Sequence, residues 1–282
     1  MMKQKKWTAL LLCAAAAGIM LAGCGGEKKA ASSAAAAPQG KLLQQIKERG
    51  KLVVGTASGF PPYEFIDTSK ADKTVVGIDI ALAQKIADKL GVKLEVQDMQ
   101  FSAILASLSA NKVDIALSGI TPTDERKKSV DFSDVYLHDP NIMLVRKRDG
   151  AMYKSVEDFY GKNIGVQKST QQETMAKEKL KDAKIVSLAK VGDALLELQQ
   201  GKVDGVPAQK VVAQQYLIMN PELAASGVEF KDTDSTSAVA VPKGNEDLIK
   251  IINEVIAESE KNGDFEKWTQ EYSKLAVANA KK

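Results

Sequence analysis

The stretch best equipped for chemistry is Ser118-Gly119-Ile120-Thr121-Pro122-Thr123-Asp124-Glu125-Arg126, which ends a strand pattern and opens a helical one. Thr121 can cap that helix with Pro122 at its first position and Asp124 three residues after the cap; Thr123 as the cap is the other register. In either register Arg126 falls near the positive end of the helix dipole. Backbone N–H groups, hydroxyls and a guanidinium converge there on an anion, and a planar guanidinium grips a carboxylate through two parallel hydrogen bonds. A small carboxylate fits this set best. The bland alternative is an Arg126 paired with Asp124 or Asp131 on a solvated helix. A second anion cradle is Val166-Gln167-Lys168-Ser169-Thr170-Gln171, where a strand ends in hydroxyls before a helical run to Leu180. The third element is the aromatic turn Phe60-Pro61-Pro62-Tyr63-Glu64-Phe65, whose rings suit either the apolar wall of a pocket or plain core packing.

Catalytic constellations are thin by comparison. The chain has 1 histidine, His138, beside a strand entry, and no G-x-S-x-G elbow, Walker-type phosphate loop or cluster at metal-ligand spacing. No cofactor or metal is expected. Cys13 lies in a segment to be discarded and Cys24 is committed to lipid, so disulfides, Cys-based metal sites and a cysteine nucleophile are excluded from the folded part.

Short apolar runs alternate with helical stripes, the pattern of an α/β protein with largely parallel sheets. Strands are expected at Lys51–Ala57, Lys93–Met99, Val113–Ser118, Asn141–Lys147, Asn163–Gln167, Lys184–Leu188, Val203–Val206 and Ala238–Val241. Ile80, Ala83, Ile86, Ala87 and Leu90 mark a helix that Gly91 stops, and Phe101, Ile104, Leu105 and Leu108 mark another. The C-terminal region reads as two helices split at Asn262-Gly263. Residues 105–114 and 195–204 echo each other, each a helix, a turn residue, a lysine and then Val-Asp. The echo suggests two lobes of similar build, or simply a joint that α/β proteins reuse.

The N-terminus carries Lys3, Lys5 and Lys6, an apolar run from Trp7 to Gly23, and Leu21-Ala22-Gly23-Cys24. The run is too short for a comfortable membrane span and reads as a cleaved export signal. Small residues before a cysteine resemble a bacterial lipobox; an ordinary signal peptide is the alternative. Residues 24–40 are rich in Ala and Ser without a large apolar side chain, a flexible linker. Removing residues 1–23 takes the balance from 39 basic and 36 acidic residues to 36 of each, so the basicity belongs to the signal and implies no nucleic-acid partner.

Four phrases carry a family resemblance: Gly55-Thr56 with Phe60-Pro61-Pro62-Tyr63-Glu64-Phe65; Val76-Gly77-Ile78-Asp79-Ile80-Ala81-Leu82-Ala83; Val113-Asp114-Ile115-Ala116 with Ile120 to Arg126; and Val130-Asp131-Phe132-Ser133-Asp134-Val135-Tyr136. From about Lys41 to Lys274 the chain resembles the extracytoplasmic solute-binding proteins of polar amino-acid ABC importers, family 3, in lipoprotein form. The resemblance implies a two-lobed periplasmic-binding-protein fold, each lobe a mainly parallel sheet flanked by helices, joined by a two-strand hinge. Lobe 1 would be 41–139 and 236–282, and lobe 2 would be 140–235. By position, Phe60 and Phe101 would sandwich the ligand side chain, Ser118, Gly119 and Thr121 would hydrogen-bond its ends, and Arg126 would clamp its carboxylate. Thr170 would add a backbone donor from the other lobe. Gln209 falls where relatives offer an acid to the α-ammonium, and Ala57 where relatives selecting basic side chains keep an Asp. Both departures favour an uncharged ligand.

The implied partners are a free amino acid or derivative, an ABC permease with its ATPase, and the membrane through lipid on Cys24, for a monomer outside the cytoplasm. The implied role is binding rather than catalysis. The same fold also hosts periplasmic dehydratases of cyclic carboxylates, in which Glu64 or Gln209 would have to do acid–base work.

Overall fold

Along Leu52-Val53-Val54 the side chains alternate, and both sides of the strand are buried: Leu52 and Val54 enter one core cluster and Val53 another. A strand covered on both faces reads as a continuous apolar run, which is why this segment was legible. The computed structural model describes residues 41–69, 71–230, 233 and 235–280. The expected signal segment, the linker and Cys24 lie outside the described residues. Among the described residues no helix is long and apolar enough to cross a membrane.

In chain order the first elements are α1 (Lys41–Arg49), β1 (Lys51–Thr56), β2 (Phe65–Ile66), β3 (Val75–Val76), α2 (Ile78–Leu90), β4 (Lys93–Asp98), α3 (Phe101–Ser109), β5 (Ile115–Ala116), α4 (Asp124–Lys127) and β6 (Val130–Asp139). Next come β7 (Asn141–Arg146), two 3-10 turns, β8 (Asn163–Gln167), α5 (Gln171–Lys179), β9 (Lys184–Leu188), α6 (Val191–Gln199), β10 (Val206–Gln209), α7 (Lys210–Met219) and β11 (Leu223–Glu229). The chain closes with β12 (Ser235–Pro242), α8 (Glu246–Lys261) and α9 (Asp264–Ala280).

The larger sheet has the order β4-β1-β5-β12-β6, with β1 parallel to β4 and β5 and with β12 antiparallel to β5 and β6. Helices α1, α2, α8 and α9 cover one face through Ile46, Leu82, Ile86, Ile252 and Phe265, while α3 covers the other through Ile104 and Leu108. Each such fully buried side chain contributes about 1.5–3 kcal/mol of transfer free energy. The second half repeats this logic on β7, whose Ile142 and Leu144 join one cluster and Met143 and Val145 the opposite one. There β7 pairs antiparallel with β10 and β11, and β8 pairs parallel with β9. The expected mainly parallel sheets are therefore mixed. The four strands at the crossings, β6 into β7 and β11 back to β12, all pair antiparallel.

The repeated Val-Asp phrases are the same joint twice. Asn111 (φ 55°) and Gly201 (φ 76°) end their helices in the left-handed region, and Lys112 N and Lys202 N return to Ser107 O and Glu197 O, each at 2.9 Å. Each following aspartate then takes the N–H of a neighbouring strand: Asp114 from Val53 at 2.7 Å, and Asp204 from Asn163 at 3.0 Å. Arg49 pairs with Asp114, and Arg146 lies 3.5 Å from Asp204.

Two strand expectations are corrected and one strand is added. The strand expected at Val203–Val206 lies at Val206–Gln209, because Asp204 and Gly205 serve the joint. The Val113–Ser118 strand shrinks to two residues. Strand β6 went unread: it buries Val130, Ser133, Tyr136 and Asp139, every third residue, because two register shifts against β12 break the alternation.

Candidate ligand-binding cleft

The turn after β1 folds back on itself, with Phe60 N donating to Glu64 O at 2.9 Å and Tyr63 N to Phe60 O at 2.9 Å. This places the Phe60 ring 5.5 Å from that of Tyr63 and turns the Glu64 side chain inward. Ala57, Phe60, Glu64, Phe101 and Ser118 from the first half, with Gln167, Thr170 and Gln172 from the second, line a narrow crevice. Four of the sequence-derived residues, Phe60, Phe101, Ser118 and Thr170, are in that lining. Gly119, Thr121, Arg126 and Gln209 are not, but the first and last stand beside it. A Cβ on Gly119 would lie 3.2 Å from Phe60 Cε1 and 3.8 Å from Gln209 Oε1, and its φ of 53° also favours glycine.

Arg126 stands on α4, a single turn capped by Thr123, whose Oγ1 accepts from Arg126 N at 3.3 Å. The Thr123 register is thus the one adopted, and Pro122 precedes the helix. Its guanidinium carbon sits 5.5 Å from the centre of the Phe101 ring. One end donates to Thr121 O at 2.8 Å, and the other crosses to Ser169 O at 2.9 Å. The remaining N–H donors meet no acceptor among the described residues. Asp124 and Asp131 pair with Lys127 and Lys243 instead, so the ion-pair alternative for Arg126 is not the one adopted. Burial brings the Arg126 pKa down to about 10, which leaves it cationic at neutral pH.

On the other side, Thr170 is committed locally. Its hydroxyl caps α5 by accepting from Glu173 N at 3.2 Å and donates to Gln167 O at 2.7 Å. Gln172 reaches Asn141 Oδ1 at 2.9 Å and Ser235 Oγ at 3.2 Å, the two residues that open β7 and β12. The lining is thereby tied to the strand crossings. Gln209 is 1 % exposed, and its Oε1 has no hydrogen-bond partner.

Sequence reasoning did not foresee the carboxyl pair behind the crevice. Glu64 and Asp79 are both fully enclosed. Ser118 Oγ donates to Glu64 Oε1 at 2.6 Å, whereas Glu64 Oε2 is buried without a donor. Asp79 accepts from Gly119 N and from Tyr136 OH, each at 2.8 Å. Burial, then the neighbouring Asp79 charge, pushes the Glu64 pKa well above the carboxylate range. Asp79 is raised to about 6 by burial, offset by its Gly119, Tyr136 and Glu64 partners. Asp79 thus has a donor on each oxygen, and Glu64 on one alone. The available signal was an acid at position 79 inside an otherwise apolar helical stripe. His138 is exposed on β6, and no group of His, Cys, Asp or Glu suited to a metal occurs among the described residues.

Residues 52–274 match the model of the bacterial extracellular solute-binding proteins, family 3. The chain is 36% identical over 220 residues to the arginine-binding extracellular protein ArtP of Bacillus subtilis, covering 77% of this chain and 84% of that protein. It is 32% identical over 232 residues to the L-cystine-binding protein TcyJ of Escherichia coli K12, covering 80% and 85%. A crystal structure of the amino-acid ABC transporter substrate-binding protein AbpA from Streptococcus pneumoniae, bound to L-arginine, superposes with a TM-score of 0.81 at 38% identity, covering 83% of this chain and 99% of that one. These relatives bind solutes for transport, and the chain is a binding protein rather than an enzyme.

Proposed function

The chain belongs to the bacterial extracellular solute-binding proteins of family 3, and on that premise we propose that it captures a basic amino acid, arginine first among candidates, and delivers it to the permease of an ABC importer. Cys24 carries the lipid that tethers the protein to the outer face of the cell membrane. The lobes are assigned as 41–139 with 236–282, and 140–235, and they close on the ligand as a monomer. The observation that carries the basic-ligand reading is Glu64: a buried, pocket-lining carboxyl whose Oε2 lacks a donor. Ala57 removes one acid from the crevice, yet Glu64 lines the same space, so the argument for an uncharged ligand loses its force. The binding of arginine by related proteins supports the same choice.

In this reading the uncommitted donors of Arg126 hold the ligand carboxylate, assisted by the Thr170 N–H. Gln209 Oε1 accepts from the α-ammonium, and Phe60 and Phe101 flank the aliphatic stem. Ser118 and Gly119 act through Glu64 and Asp79, to which their donors are given, while Thr121 acts through its carbonyl on Arg126. Hydrogen bonds to charged groups contribute about 1.5–3 kcal/mol each. Micromolar affinity corresponds to about −8.2 kcal/mol. No single group supplies that, so the ligand must be held from both sides, and its differential affinity favours the closed form.

A thermal-shift and calorimetric screen of the amino acids tests the reading. Arginine should raise the melting temperature, and its uncharged isostere citrulline should not. Binding confined to neutral amino acids would overturn it. Mass spectrometry of the membrane-associated protein should find diacylglycerol on Cys24, and Cys24→Ala should release the protein into the soluble fraction.

A further inference from the structure

Glu64 and Asp79 are both buried with no cation paired to either among the described residues, and they are held by the consecutive residues Ser118 and Gly119, so burial and mutual repulsion keep a proton on one of them. Their partners say which one carries it. Asp79 uses both oxygens to accept, one from Tyr136 OH and one from Gly119 N, as a carboxylate should. Glu64, which lines the crevice, has one donor, Ser118, and an Oε2 buried without a partner. We infer that entry of the ligand's cationic end expels the proton that Glu64 carries beside Asp79, so that solute capture releases a proton to solvent. The inference rests on the basic-ligand reading above. The Glu64 O–H bond breaks, its electron pair stays on the carboxylate, the proton passes to buffer, and the ligand's positive charge takes its place.

The groups around the pair favour this exchange. Asp79 faces Glu64 from α2, Tyr136 from β6, Asp98 from the end of β4, Tyr63 from the same turn and Tyr216 from α7. All are acids or phenols. Asp98 is itself held by Ser58 N at 2.7 Å and Ser58 Oγ at 2.6 Å. The cation on this wall, Arg126, lies on Phe101 and is held by two carbonyls. Among the described residues no cation acts on either carboxyl, so the pair stays neutralised by a proton until a cation arrives.

Titration calorimetry of the purified protein with arginine near pH 7, repeated in buffers of different ionisation enthalpy, reads the proton directly. The expected result is release of about one proton per arginine, with Kd falling up to about tenfold for each unit rise in pH while the free protein is protonated. Glu64→Gln should bind arginine more weakly and release none. Should that variant fail to fold, the pH dependence of the wild-type Kd decides alone. Arginine binding with no proton release and a pH-independent Kd would overturn the inference while leaving the basic-ligand reading intact. Failure of every basic amino acid to bind would overturn both. Equal release from wild type and Glu64→Gln would assign the proton elsewhere and overturn it as well.

Discussion

The two walls of the crevice are built from different chemistry. The first presents Glu64 backed by Asp79, with the Arg126 cation nearby, each fixed by at least one partner but with Glu64 Oε2 left without one. The second presents Gln167, Thr170 and Gln172, with Gln209 beside the crevice, all neutral amides or hydroxyls. Burying a charge is costly unless it is paired, whereas a neutral amide can be covered and uncovered far more cheaply. Charge selection therefore resides in the wall whose groups are already desolvated and held. The other wall covers the ligand without bringing a second buried charge of its own.

Removing the cation of the charged wall should have the largest effect. Arg126→Ala is expected to weaken arginine binding at least about 30-fold, since truncating one member of a buried charged pair costs about 2–5 kcal/mol. Its bonds within the protein go only to two carbonyls, so the ligand-free melting temperature should hardly move. Wild-type affinity in calorimetry would reject the carboxylate-clamp role.

The acid of the same wall comes next. Glu64→Gln should weaken arginine by about 10- to 100-fold, the loss of one charged hydrogen bond, and should abolish the preference over citrulline. It should also change the pH dependence of the free protein. An acid whose native pKa is raised binds its proton more tightly when folded, so stability falls as pH rises past its ordinary value. Asp79 contributes this loss between 3.8 and about 6, and Glu64 from 4.5 upward. Thermal melts across this range should show a shallower decline for Glu64→Gln than for wild type; an identical slope would mean that Glu64 is not the proton carrier.

Making the neutral wall charged inverts the comparison. Gln209→Asp places a carboxylate beside Gly119 with no partner in the free protein. It should tighten zwitterion binding about tenfold, a gain of about 1.4 kcal/mol, while lowering the ligand-free melting temperature. Weaker binding would mean that the native ligand presents no ammonium at Gln209.

The same division explains what could be read from the chain. Local patterns were legible: the apolar run of β1, the stripe of α2 with its Gly91 stop, and the split at Asn262-Gly263 between α8 and α9. Arg126 and Phe60 stood out by type and Phe101 by the family resemblance; the two rings line the crevice, and Arg126 lies over Phe101. The carboxyl pair was not legible. Glu64 meets Ser118 across 54 positions and Asp79 meets Tyr136 across 57, and only folding shows that the pair has no cation around it. Strand β6 was hidden because its register shifts replace a two-residue alternation with a three-residue one.

The smallest expected effect separates covering from selecting. Tyr216 on α7 donates its hydroxyl to Gly59 O at 2.7 Å, next to Phe60, so this bond joins the two walls without touching either charged group. A neutral hydrogen bond of this kind contributes about 0.5–1.5 kcal/mol. Tyr216→Phe should therefore weaken arginine about 2- to 10-fold, chiefly through faster dissociation. If the second wall only covers, every ligand that binds must lose affinity by the same factor, leaving the ratio of arginine to lysine unchanged in competition calorimetry. A shift in that ratio would mean that the neutral wall also selects, and the division of labour between the walls would fail.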